Sequence, residues 1–369
     1  MGKKLAIIGA SIGQYPLCEK SKELGLETFC FAWQDGAICK NVVNHFYPIS
    51  IYEMDRIVEI CKTIGVDGVV SNASDSTTEV VAYLCEKLHL NGTPYKTLVS
   101  LCDKYYVRSL AKSIKGLKSP RYYKFEGEDR HIYPCVVKPC KGNSKSGVSF
   151  ARNESEFKDA ISYASNECAS DIVVEEFVEG KELSIESISF HGRHYVIQIT
   201  DKDSSSAPHF VELGHHQPAN VTTEMRCKIE TVIPELLERI GYTNGASHIE
   251  VKYNGDELYL IEANLRGGGD DISNKLVFMS SGVDYLKCII DVALNQFVEP
   301  VRISEPFYAG IYYLTKQTSN LLPFFVNADG KEWLVEKNVF STDLKESHSN
   351  YERNGYLIYK AKYKVTPNM

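Results

Sequence analysis

The chain predicts an α/β protein with an N-terminal Rossmann-like parallel sheet, an α+β middle and a small β-rich C-terminal subdomain. Over roughly the first ninety residues, short apolar runs alternate with helical stretches, the pattern of parallel strands joined by helical crossovers. Between His248 and Ala263, two alternating runs flank Asn254-Gly255, a strong signal for a tight hairpin. After residue 300, residues 307–315 (FYAGIYYLT) and 356–365 (YLIYKAKYKV) alternate as strands, and no chemistry is apparent among them.

At 369 residues, with 43% hydrophobic and 24% charged side chains, the chain has material for several sizeable cores. The divisions expected are an N-terminal domain at 1–93, a helical linker at 94–120, a small subdomain at 121–180, a larger one at 181–300 and the C-terminal subdomain at 301–369. The opening MGKKLAIIGAS has too short an apolar run for a signal peptide, and no stretch approaches the length that spans a bilayer. A cytoplasmic protein with no membrane partner is expected. The net charge of −7 argues against a nucleic-acid partner. Eleven cysteines with no CxxC pair read as reduced, mostly buried thiols rather than disulfides or zinc ligands. Small-molecule ligands remain, and a homodimer is compatible with this composition.

Residues 4–9 (KLAIIG) form a continuously apolar run of the buried parallel type, and Gly9 to Gly13 turn into a helix reaching Gly25. Further strands are expected at 26–33 and 67–71. Helices are expected at 55–64 and at 76–88, the latter capped by Asp75 or Ser76. The glycine spacing is not GxGxxG, so helix N-termini that help to hold an anionic substrate are preferred over a dinucleotide site.

A helix over 97–114 carries Lys104. The strand 135–139 (CVVKP) carries Lys138, whose valine and proline neighbours give the ammonium little room to reach water. The loop 140–148 follows, rich in small and donor residues, among them Lys141, Ser144, Ser146 and Gly147. It reads as a lid that wraps phosphate, with a plain β-turn as the alternative. After a helix over 153–167, residues 171–180 (DIVVEEFVEG) and 182–190 form two strands whose junction offers main-chain groups to a flat heterocycle. Strands around 194–200 precede a polar loop, 201–207 (DKDSSSA), expected to be mobile because nothing in it packs. A helix over 224–241, divided at Pro234, leads into the hairpin.

On the hairpin's second strand Leu258, Leu260 and Glu262 share a face, so an apolar row carries a carboxylate inward. Such a charge needs a cation or a dense hydrogen-bond shell. Glu250 on the facing strand, Glu262 and Asn264 supply three oxygen donors of the kind that suits Mg2+, with Mn2+ as a substitute. Arg266 and Gly267-Gly268-Gly269 follow, a fixed cation beside backbone that an anion can approach. The competing reading is an ordinary solvated charge pair on an edge hairpin.

Taken together, Asp103-Lys104, Val137-Lys138-Pro139, the loop 141–148, residues 175–182 (EEFVEGKE), and Glu250 with Glu262-x-Asn264-x-Arg266 resemble the ATP-grasp superfamily over residues 4–291. The resemblance implies that Lys104 and Lys138 contact the phosphates of ATP, and that the lid closes over them. It implies that Glu176 and Val178 meet the adenine edge with Glu175 nearby, that Glu182 holds the ribose hydroxyls, and that Glu250, Glu262 and Asn264 hold magnesium. Within the superfamily, 247–269 (SHIEVKYNGDELYLIEANLRGGG) and 210–219 (FVELGHHQPA) resemble the carboxylate–amine ligases that include the L-amino-acid ligases. That implies a reaction in which ATP activates a carboxylate as an acyl phosphate and an amine then attacks it. Arg266 would stabilise the acyl phosphate and work with Lys138 in catalysis, and Gly267 and Gly268 would face the substrate carboxylate. Glu212, His215 and His216 would meet substrate, one histidine taking the amine proton. The Gly-Gly-Gly-Asp-Asp run after Arg266 and the paired histidines depart from the family pattern and leave the substrate open. The alternatives are a carboxylase or purine-pathway ligase of the same fold, disfavoured by the lack of a biotinyl-lysine motif, and a catalytically silent nucleotide-binding protein.

Overall fold

The computed structural model describes residues 2–141, 146–207, 210–303, 305, 307–347 and 349–367. The N-terminal part comprises β1 (Lys4–Ile8), α1 (Tyr15–Glu23), β2 (Glu27–Ala32), β3 (His45–Pro48), α2 (Met54–Ile64), β4 (Gly68–Val70) and α3 (Asp75–Leu88). Its sheet has the order β3-β2-β1-β4 with every pairing parallel. On β1, Leu5 and Ile7 enter one core while Ala6 and Ile8 enter another, as expected of a strand covered on both faces. The chain runs outward from β1 through β2 to β3, then returns to β4 on the other side of β1. The carboxyl ends of β1 and β4 therefore flank the topological switch point. The short, half-exposed β3 was not expected, because HFYP carries neither an apolar run nor an alternation.

The single helix expected over 97–114 is broken into α4 (Tyr95–Leu101) and α5 (Lys104–Ala111). Asp103 breaks it by capping: its carboxylate accepts from the amides of Tyr105 and Tyr106 at 2.8 and 3.1 Å, leaving Lys104 as the first residue of α5. After β5 (Leu117–Lys118), a small antiparallel sheet is made by β6 (Tyr122–Lys124), β7 (Cys135–Pro139), β8 (Ser149–Ala151) and β9 (Ile172–Glu176) in the order β6-β9-β7-β8. α6 (Glu154–Glu167) covers it, packing Phe157, Ala160 and Ala164 against Cys135, Val137 and Val174.

The rest is built on a nine-stranded sheet. Its members are β5, β10 (Lys181–Phe190), β11 (Arg193–Ser204), β12 (Glu212–Gln217), β13 (Gly245–Asn254), β14 (Glu257–Asn264), β15 (Tyr308–Leu314), β16 (Leu334–Val339) and β17 (Gly355–Ala361). α7 (Thr223–Arg239), α8 (Val277–Ser281), α9 (Tyr285–Ala293) and α10 (Leu322–Val326) pack around it. The order β16-β17-β15-β12-β11-β10-β13-β14-β5 corrects two expectations. The C-terminal region is strand-rich, but it extends the large sheet through β12–β15 pairing instead of closing on itself. Residues 201–204, expected in a mobile loop, complete β11: all four pair with β12, and Asp201 and Lys202 pair with β10 as well. α7 also runs through Pro234 undivided. All eleven cysteines are unpaired, and among the described residues no helix is long and apolar enough to cross a membrane.

Candidate active site

A cleft of about 460 Å³ opens between the small sheet, the large sheet and the carboxyl edge of the N-terminal sheet. The hairpin β13–β14 contributes the acidic centre. Glu250 and Glu262 are direct register partners, beside a bulge that shifts the ladder between Glu250 and Val251. Carboxylates directly opposed on neighbouring strands repel, and cations answer both. Lys104 Nζ is 3.2 Å from Glu262, while Lys202 Nζ and His248 Nε2 are 3.0 and 3.3 Å from Glu250.

Lys202 is the residue that sequence reasoning missed most completely. Its side chain is fully buried and is shared with Glu182 at 3.3 Å and Glu212 at 3.0 Å as well as Glu250. Burial works against its charge, but Glu212, Glu250 and Glu182 outweigh it and hold the ammonium well above its usual range. Burial likewise opposes ionisation of Glu250, and Lys202 and His248 reverse that, holding it well below the usual carboxylate range.

Lys138 projects from β7 and is 7% exposed, with Nζ 2.8 Å from Glu175. Arg108 of α5, also buried, donates to both oxygens of the same carboxylate at 2.7 and 3.0 Å. Its remaining donors reach the carbonyls of Leu260 and Ile261 on β14. Desolvation would raise the Glu175 pKa, but Arg108 and Lys138 bring it down to about 2. Burial depresses the Lys138 pKa despite Glu175. Glu175, expected near the adenine edge, lines the cleft with Glu176 and Val178 and is also the centre of a buried ionic cluster joining the small sheet to the hairpin. Arg108 escaped notice because an arginine within a helix normally faces water.

At the other end the cleft turns apolar. Phe177 and Phe210 stack with centroids 5.7 Å apart, and Val136, Val148, Val178 and Ile261 line the same space, walls suited to a flat heterocycle. Glu176 and Val178, expected to meet adenine through main-chain groups, both line this cleft; the Glu176 amide donates to the Arg121 carbonyl at 2.8 Å and the Val178 carbonyl accepts from Lys252 at 3.2 Å. Glu182 lines the cleft nearby. Of the lid residues, Ser144 lies outside the described residues. Ser146 lines the cleft and donates to Glu167 at 2.6 Å. Gly147 has φ +72°, and a Cβ there would come 2.8 Å from Pro139 Cγ. Lys141 lies in an adjoining hollow with Lys104, Glu262 and Asn264.

Arg266 lines the cleft and donates from Nε and Nη2 to both oxygens of Asp75 at 2.7 and 3.1 Å, so the hairpin is tied to the first turn of α3. Gly267 and Gly268 do not present their backbone to the cleft as expected. A Cβ on Gly267 would come 2.4 Å from Asn72 Oδ1, and one on Gly268 2.8 Å from His248 Nδ1. The Gly268 amide is also taken, donating to Glu186 at 3.1 Å. Gly269 lines the cleft in their place.

His215 and His216 alternate on β12 and part company. His215 faces the cleft between Asp270 at 3.3 Å and Glu212 at 3.5 Å. Burial would lower its pKa, but Asp270 and Glu212 raise it. His216 points the other way, between Asp203 and the Tyr359 hydroxyl, each at 3.1 Å, which corrects its placement among substrate contacts. The C-terminal region, expected to be chemically silent, supplies Arg353. That residue donates to Asp270 at 2.7 Å and to the Glu212 carbonyl at 3.1 Å, and lies 3.6 Å from the Tyr313 ring centroid. Glu212, His215 and Asp270 each bring a ligand atom within 4.8 Å of the others, yet Lys202 and Arg353 already neutralise their charge. Glu262, 30% exposed and facing Lys104 through one oxygen, fits a metal better, beside Glu250 and Asn264 in the same cleft.

Residues 131–275 match the family model of the ATP-grasp domain. That stretch is an ATP-grasp domain. Alanine–anticapsin ligase of Bacillus subtilis (strain 168) is 27% identical over 326 residues, covering 75% of this chain and 68% of that protein. Two further curated alanine–anticapsin ligases are each spanned over 62% of their length. An L-amino acid ligase from Bacillus licheniformis shares the fold with a TM-score of 0.80 at 23% identity, covering 98% of this chain and 94% of the other. The ADP complex of an N5-carboxyaminoimidazole ribonucleotide synthetase gives 0.76 at 16% identity, covering 98% and 93%.

Proposed function

We propose that the protein activates a small carboxylic acid with ATP and joins it to an amine. A carboxylate oxygen attacks the γ-phosphorus, the bond to the β-phosphate oxygen breaks and ADP leaves. The amine nitrogen then attacks the acyl carbon, the bond to the phosphate oxygen breaks, and phosphate departs as nitrogen gives up its proton. The observation that carries this reading is one cleft in which Glu250 and Glu262 oppose each other with Lys104, Lys138 and Arg266 around them.

In this reading the aromatic end with Phe177 and Phe210 takes the adenine, Glu182 takes the ribose, and Lys104 and Lys138 take phosphate oxygens. Phosphoryl transfer needs positioning and charge neutralisation more than covalent help. Glu250, Glu262 and Asn264 would hold Mg2+, or Mn2+ in its place, and the ion would supply charge neutralisation at the phosphates. Arg266 would take the negative charge of the acyl phosphate. The raised pKa of His215 favours its protonated form, which suits donation to an anionic oxygen better than the base role expected.

The test is ADP and phosphate release from ATP with Mg2+ across pairs drawn from amino acids and small acids. Release that requires a particular acid together with an amine supports ligation. Tight ATP binding with no turnover for any pair overturns it.

A further inference from the structure

The carboxyl edge of the N-terminal sheet brings an isoleucine to the cleft with no part in phosphoryl transfer. Ile12 lies between β1 and α1, is 76% exposed, and lines the cleft with Asp75 and Arg266. Its loop is firmly held. The next residue, Gly13, lies so close to the β4–α3 loop that a Cβ on it would come 3.2 Å from the Ala73 Cβ. Gln14, 1% exposed, donates to the Asn72 carbonyl at 2.6 Å and accepts from the Ser11 amide at 3.1 Å. Ala73 has φ 54°, a backbone state that a non-glycine residue seldom adopts, and it too lines the cleft, as does Ile272. Ile12 and Ala73 thus bring apolar groups to the cleft at the β1/β4 switch point, where open α/β sheets receive ligands, and Ile272 lines the same cleft. Two residues beyond Ala73, Asp75 holds the guanidinium of Arg266.

We propose that Ile12 and Ala73 form the subsite for an apolar substituent on the carboxylic acid that is phosphorylated, with Ile12 setting specificity for aliphatic or aromatic acids over charged ones. This rests on the ligase reading and names the substrate class. Ile12, Ala73 and Arg266 line one cleft, so an acid held at Arg266 by its carboxylate would turn its substituent toward these apolar side chains, and covering Ile12 removes apolar surface from water. A rigid loop makes the exposed side chain a preformed contact rather than one that collapses on itself.

The experiment uses the full chain with ATP and Mg2+, comparing leucine, phenylalanine, glycine, aspartate and lysine as the acid, each paired with amino acids as the amine. Ile12→Asp and Ile12→Val are assayed beside the unsubstituted protein. The apolar acids are expected to be preferred. Ile12→Asp should lower their kcat/KM by about tenfold or more, with glycine and the KM for ATP changed by less than about twofold and Ile12→Val intermediate. Equal use of aspartate or lysine by the unsubstituted protein overturns the proposal, and so does an equal loss for glycine and phenylalanine in Ile12→Asp. Either leaves ligation standing. No ADP release with any pair overturns the ligase reading and the subsite with it.

Discussion

Glu250 and Glu262 stand directly opposite each other on β13 and β14, and each has a lysine of its own, Lys202 at 3.0 Å and Lys104 at 3.2 Å. Glu262 is the more open of the two, so its charge is the one available to a ligand. Glu262→Gln removes that charge at almost constant volume. ATP turnover should fall by about 10²-fold or more, with circular dichroism unchanged. Lys138→Ala should abolish turnover similarly. Turnover retained in both variants would contradict the assignment of this cleft as the reaction site.

Lys202→Met tests the buried cation. Removing it leaves Glu182, Glu212 and Glu250 facing one another without their shared ammonium. Stripping one partner from a buried ionic cluster costs about 3–5 kcal/mol. Urea unfolding at pH 7 should show that loss. The deficit should shrink as the pH is lowered, since protonating the carboxylates relieves their repulsion. A loss below about 0.5 kcal/mol, typical of a surface lysine, would refute the burial.

His248 makes stability depend on pH on the alkaline side. Burial opposes its charge, but Glu186 and Glu250 raise its pKa from 6.5 to about 9. A group whose folded pKa lies above its unfolded value binds protons more tightly when folded. Its contribution is complete below pH 6.5 and is lost as the pH rises through about 9. The full effect is at most about 3 kcal/mol. Unfolding free energies measured between pH 6 and 10 should fall accordingly, and the fall should flatten in His248→Gln. An unchanged slope in that variant would sink the assignment.

Gly268 and Gly269 should respond differently to alanine. A Cβ on Gly268 meets His248 Nδ1 at 2.8 Å and Glu186 Oε1 at 3.1 Å, whereas one on Gly269 meets nothing within 4 Å. Gly268→Ala should destabilise by about 1–3 kcal/mol, and Gly269→Ala should stay within about 0.5 kcal/mol, both read by thermal unfolding. Equal effects would mean that the run is not packed as described.

The parts of the site legible in the sequence are those fixed by local pattern. Asn254-Gly255 sets the hairpin and so brings Glu250 and Glu262 onto paired strands, although their direct opposition needs the bulge between Glu250 and Val251, since the turn alone would set Glu250 against Ile261; the apolar neighbours of Lys138 signal its burial. What stayed hidden depends on pairing between distant segments. Lys202 sits in a polar stretch that reads as loop, and its burial comes from carboxylates on β10, β12 and β13. Arg353 reaches Asp270 and Glu212 at the cleft's edge only because β15 and β17 extend the sheet beside β12. The parting of His215 from His216 follows from strand alternation, but alternation alone would group His216 with Glu212; the register shift between Asp203 and Ser204 is what sets His215 beside Glu212.

Arg266 has five N–H donors, and Asp75 and the Gly267 carbonyl occupy three of them. A newly arriving anion can claim the two left over or compete with Asp75 for the rest. Since Asp75 opens α3 and Arg266 follows β14, that competition would loosen a clasp between two lobes at the moment negative charge appears. The resting enzyme would then be latched by the same fork that the reaction later borrows.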